Sequence, residues 1–110
     1  MEETNKKELL NDIKDYVKRI DSSLENFIEE IRKTNNITNL ADLIEGLVYT
    51  FRGIELLNIE NIDISVEDLN ENINEILDGM ENQDFNLIAD ILEYEIMEKI
   101  NDLNNDLKNI

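Results

Sequence analysis

Apolar residues recur at alternating steps of three and four along almost the whole chain, the spacing of one helical face and not of a strand. From about Thr4 to Thr34 the stripe is Leu10, Ile13, Val17, Ile20, Leu24, Phe27 and Ile31, an unbroken heptad seam. Leu9, Tyr16 and Ile28 widen it, as expected of a helix that packs on two neighbours instead of one. Ser22 and Glu25 form a capping-box pattern inside this segment. The heptad phase runs through them undisturbed, so the spacing predicts a single helix over residues 4–34, roughly 45 Å long at 1.5 Å per residue.

Thr34-Asn35-Asn36-Ile37-Thr38 is a turn-forming cluster, with Thr38 the predicted N-cap of a second helix over 39–57. The core face of that helix is Leu40, Leu43, Ile44, Leu47, Phe51 and Ile54. Beside it Gly46, Thr50 and Gly53 make a strip of small residues, read as a place where another helix comes close rather than as a hinge. Residues 58–65 form the longest connection, and Ile59, Ile62 and Ile64 predict that it folds onto the bundle. Ser65 caps a third helix over 66–81, with Ile64 and Leu69 placed to staple its start and Gly79 or Asn82 to end it. Asp84 caps the last helix, 85–108, whose main stripe runs from Phe85 through Leu92 and Ile100 to Leu107. Leu87, Ile91 and Tyr94 add a second apolar strip there, a candidate interface with another chain if it does not lie deep in the bundle. Four amphipathic helices with mostly short links predict an all-α protein, one domain spanning residues 1–110, arranged as an antiparallel up-down four-helix bundle.

Charge changes this picture more than composition does. Apolar residues make up 41% of the 110, ordinary globular usage, and the absence of proline with only three glycines leaves few helix breakers. The net charge is −17, and it is lopsided. Residues 1–55 carry 8 basic and 12 acidic side chains, residues 56–110 only 2 and 15, and no positive charge lies between Arg52 and Lys99. Such a field repels nucleic acid and anionic lipid, so neither direct nucleic-acid binding nor membrane binding is expected. No apolar run approaches the roughly 18 residues of a membrane span, and the start is polar and acidic, so the expected location is the cytoplasm.

Candidate chemistry is thin. With no cysteine and no histidine the chain lacks disulfides, thiolate sites, the usual general base and the commonest metal ligand. The stretch Asn61-Ile62-Asp63-Ile64-Ser65 begins like a calcium loop, but Val66 stands where the turn needs glycine and Asn72 where the bidentate glutamate belongs. No cofactor and no metal are expected, and the chain is expected not to be an enzyme. Lys99 follows Glu95 by four residues, the favourable order for a helical ion pair, and is expected to snorkel at the edge of the apolar face. Glu67, Glu71, Glu75 and Asp78 lie on one outward face of the third helix with no lysine among them, a candidate acidic docking face extended by Asp90, Glu93 and Glu98.

The stretch from Asn82 to Glu95, with Asp84-Phe85-Asn86-Leu87-Ile88-Ala89 at its centre and Tyr94-Glu95 at its end, resembles a segment of uncharacterised small helical proteins of low-GC Gram-positive bacteria. In those a proline tends to follow the Tyr-Glu pair, where this chain has Ile96 and Met97. The resemblance implies a helical domain of unknown function and no catalytic residues. Phe51-Arg52-Gly53 and Tyr94 to Glu98 are similar to the Trp-x-Gly bend and the Tyr-x-x-x-Asp/Glu signal of helical-hairpin secretion substrates, with tryptophan replaced and both motifs inside predicted helices.

Three functional expectations follow. The first is a non-enzymatic protein–protein interaction module that acts through helix packing, with a protein partner of unknown identity or a second copy in a homodimer. The second is an acidic decoy that occupies a basic nucleic-acid-binding protein, its carboxylates standing in for phosphates. The third is a secreted helical-hairpin substrate.

Overall fold

A computed structural model describes residues 2–60, 62 and 64–110. Among these residues there is no strand, and four helices form a bundle of 44 × 24 × 21 Å. Helix α1 spans Glu3–Thr34, α2 spans Leu40–Leu57 and α3 spans Val66–Glu81. The last helix, α4, is continuous from Phe85–Ile91 through a π-helical turn, Leu92–Ile96, into Met97–Lys108. α1 runs unbroken through Ser22, whose hydroxyl donates to the Arg19 carbonyl and starts no new helix.

The helices pack in a ring, α1 on α2, α2 on α3, α3 on α4 and α4 back on α1. Partners across the α1–α4 seam step backwards along the chain. Lys14 Nζ donates to the Ile110 carbonyl, Asp21 accepts from Asn101 and Asn104, and Arg32 reaches Asp90. These two helices therefore run in opposite directions. So do α1 and α2, since Gly46 meets Tyr16 whereas Gly53 meets Ile13 and Leu9. The core draws on the heptad positions the sequence marks, with Ile13, Val17, Leu24 and Ile31 of α1 in one buried cluster with Leu47, Phe51 and Ile54 of α2, Leu69 and Ile76 of α3, and Leu92, Ile96 and Ile100 of α4. Ile28 beside the stripe joins it, while Leu10, Ile20 and Phe27 on the stripe are only partly buried.

The helix ends show which local signals hold. Ser65 Oγ accepts from the Asp68 amide and Asp84 Oδ1 from the Leu87 amide, each at 3.1 Å, the predicted N-caps of α3 and α4. Asn35 and Asn58 end α1 and α2 in the left-handed conformation, at φ 58° and 50°, where asparagine is the best-tolerated residue after glycine. Asn82, not Gly79, ends α3; Gly79 is buried, and a Cβ there would sit 2.9 Å from Ile88 Cγ1. Thr38 does not cap α2. Asn36 Oδ1 accepts from both its amide and its hydroxyl, at 3.0 and 2.6 Å, an Asx-type turn that captures the threonine first. Helix α2 then starts after Asn39 with no side-chain cap. Ile59, Ile62 and Ile64 pack against the core as expected of a folded connection. Of the stretch that begins like a calcium loop, positions 61 and 63 lie outside the described residues.

Candidate functional site

The small residues of α2 decide the shape of the α1–α2 face. Gly46, Thr50 and Gly53 follow each other at steps of four and three, so they share one flank of the helix. The Tyr16 hydroxyl of α1 rests where a Cβ on Gly46 would go. At Gly53 a Cβ would lie 2.7 Å from Ile13 Cδ1 and 3.7 Å from Leu9 Cδ1. Thr50 between them is completely buried. The strip is thus a close-packing seam.

Drawing α2 this close to α1 leaves the next flank of α2 uncovered. Tyr49 and Leu56, seven residues apart and so on one line, are 61% and 65% exposed. Between them and α1 lies a groove of about 620 Å³, floored by Leu9, Val48 and Gly53 and rimmed by Arg52. Beyond Glu45 and Tyr49, which line both, it continues into a second hollow of about 710 Å³ along the same seam. That hollow is bordered by Asp12, Asp15 and Asp42 as well as Glu45, and none of these four carboxylates is in an ion pair among the described residues. Arg19, which also lines the hollow, is likewise in no ion pair among the described residues and lies 5.6 Å from the centre of the Tyr16 ring. Burial pushes the Tyr16 phenol up, against the opposing pull of Arg19.

The acidic face of α3 is where the spacing puts it. Glu67, Glu71, Glu75 and Asp78 are all exposed, and none forms an ion pair among the described residues. Its expected extension onto α4 does not hold. Arg32 of α1 takes Asp90 at 2.9 Å and Glu93 at 3.4 Å, and Glu98 borders a hollow with Asp21 and Glu25 of α1, so these acids face α1. The hydrogen bond to Asp90 raises the Arg32 guanidinium further above its already high range, leaving a fixed cation over that pair. Lys99 pairs with Glu95 at 3.6 Å as the spacing predicts.

The candidate apolar strip of α4 also changes. Ile91 is 5% exposed and belongs to the core, which leaves Leu87 at 38% and Tyr94 at 64% without the middle residue of a continuous patch. The π turn explains how α4 keeps its core face in register. Leu92, Ile96 and Ile100 follow at two successive steps of four, and each such step overshoots a full α-helical turn by about 40°. Widening the turn, with the Met97 amide bonded to the Leu92 carbonyl, absorbs the overshoot and holds all three inward.

Among the described residues no group of acidic side chains is arranged to hold a metal ion, and no helix is long and apolar enough to cross a membrane. Residues 8–106 match a family described as Domain of unknown function (DUF8042). The chain belongs to the DUF8042 family. No curated protein and no solved structure matches it. Tyr49 and Leu56, the most exposed large apolar residues of this DUF8042 bundle apart from Tyr94, are not marked by the core stripe. Their signal in the sequence is apolar character seven residues apart on the flank next to two helical glycines, the same kind of off-stripe signal that Leu87 and Tyr94 carry.

Proposed function

We propose that this DUF8042 chain is a non-catalytic protein-interaction module that binds its partner by helix packing on the α1–α2 face. The observation that carries the reading is the pair Tyr49 and Leu56, held in water along one wall of a preformed groove whose floor is apolar. Contiguous apolar surface beside a groove is the usual mark of a docking site. A benzophenone amino acid placed at position 56 or 49 and irradiated in the source cell tests it. A discrete adduct from these two positions, with none from Ser22 on an outward turn of α1, is the expected result. Adducts spread evenly over all three positions, or absent from all, sink the reading.

A second reading, the acidic decoy, is favoured by one observation of its own, the four unpaired carboxylates in a row on α3. An electrostatic partner is lost steeply as ionic strength rises, whereas an apolar interface persists. Reversing Glu67, Glu71, Glu75 and Asp78 to lysine abolishes decoy binding; a partner retained by that variant eliminates the decoy.

A further inference from the structure

We propose that the occupant of the α1–α2 groove is an amphipathic helix of a protein partner, carrying large apolar side chains at one end and lysines or arginines at the other. The proposal rests on the interaction-module reading and specifies its partner. Three features define that helix. The groove follows α2 from Asp42 to Leu56, about 21 Å at helical rise, the length of about four helical turns. Its chemistry is graded along that length. The end at Leu9, Val48 and Leu56 is apolar, while the end at Asp12, Asp15 and Asp42 presents carboxylates with no cation paired to them.

Arg52 gives the gradient a direction. It borders the apolar end, where Glu45 is the one carboxylate beside it, whereas Arg19 at the other end is outnumbered by Asp12, Asp15, Asp42 and Glu45, so a basic side chain is favoured at that other end. A second copy of the chain is a poor occupant, since each copy carries −17 and even its more basic half, residues 1–55, holds 12 acidic side chains against 8 basic ones. Anionic ligands are turned away by the same field. The apolar anchors then supply residence and the basic end supplies orientation and encounter rate.

The test is fluorescence anisotropy of the full chain with labelled alanine-based helical peptides of about 15 residues. One peptide carries leucine and phenylalanine anchors in its first half and lysines in its second. A second replaces the lysines by glutamate, and a third replaces the anchors by alanine. The first is expected to bind saturably at one per chain, and the other two at least about tenfold more weakly at about 0.15 M salt. Leu56→Glu and, separately, Tyr49→Glu abolish binding with helical circular dichroism unchanged, and Glu45→Lys weakens the lysine peptide alone.

Equal binding of the lysine and glutamate peptides overturns the gradient but leaves the interaction-module reading intact. No peptide binding, with adducts still formed at position 56 in cells, overturns the proposal and again spares that reading. A concentration-dependent dimer mass that Leu56→Glu abolishes, with no peptide bound, gives the groove to a second copy and overturns the proposal. Failure of both peptides and adducts removes the proposal and the reading together.

Discussion

Helices α1 and α2 start without side-chain caps and close by pressing the glycines of α2 onto α1, whereas α3 and α4 each start on a capping side chain, turn tightly through Asn82, Gln83 and Asp84, and press one glycine, Gly79, onto Ile88. Charge divides the molecule along the same line. The first hairpin holds 8 of the 10 basic residues in residues 1–55, and the second is a field of carboxylates. One hairpin relies on tertiary contact alone and leaves an open groove; the other adds local caps to its own close contact and leaves a charged face. The difference teaches that similar heptad stripes can produce unequal surfaces, because what lies beside the stripe decides how closely helices approach.

Phe51 is where the comparison breaks most easily. It is 2% exposed, belongs to α2, and borders the same hollow as Ser65 of the α2–α3 connection and Leu103 of α4. Phe51→Ala is expected to cost about 3–5 kcal/mol in denaturant unfolding. A single transition with an unchanged slope means that the two hairpins fold as one unit; two transitions make them separable. Next in size is Gly53→Val, which sets a branched side chain against Ile13, itself 1% exposed and unable to swing out. The overpacking cost is about 1–3 kcal/mol. Gly46→Ala is the control, because the atom in its way is the far end of the half-buried Tyr16, and the gain of about 1 kcal/mol in helix propensity offsets its displacement. Equal losses at both sites would mean that the Tyr16 ring gives way no more easily than the buried Ile13.

The caps come third. Ser65→Ala and Asp84→Ala each remove one side-chain acceptor from a helix start, at about 1 kcal/mol apiece, and the sites are far enough apart in sequence and structure to add. Thr38→Ala, at the uncapped start of α2, is expected to change the melting midpoint less than either. A loss at Thr38 as large as at Ser65 would mean that the first hairpin depends on local signals after all.

How much of this was legible depends on the distance over which each signal acts. Helix spans, the Ser65 and Asp84 caps, the Lys99–Glu95 pair and the close-packing role of the glycines are properties of neighbours in sequence, and they can be read there. The competition that Asn36 wins over Thr38 is also local, but it is a contest between two side chains that propensity alone does not rank. The π turn had a mark, the double step of four through Leu92, Ile96 and Ile100. The same double step at Leu43, Leu47 and Phe51 leaves α2 regular, so the spacing finds the strain and not its resolution. Ile91, the attachment of Asp90 and Glu93 to Arg32, and the groove under Tyr49 and Leu56 depend on which flank of each helix its neighbour covers. That information lies between helices, out of reach of a single stripe.

The smallest effect bears on the acidic side of the comparison. Glu71 stands four residues after Glu67 and four before Glu75 on the exposed face of α3, so it takes part in two like-charge pairs, each unfavourable by roughly 0.2–0.5 kcal/mol. Glu71→Lys turns both into attractions, the one with Glu67 in the better order, and touches no core residue. The expected outcome is a gain of about 1 kcal/mol at low ionic strength, shrinking as salt screens the surface. Asp15→Lys on the first hairpin serves as the counterpart: it makes the same change of two charge units, but with Lys18 and Arg19 three and four residues on, and so gains nothing. If the two variants respond alike, and neither response depends on salt, then the carboxylates of α3 exert no field beyond that of any solvated helix. The face they form would then have no special claim on a basic partner, and the unpaired acids of the α1–α2 groove would be left as the place where charge selects one.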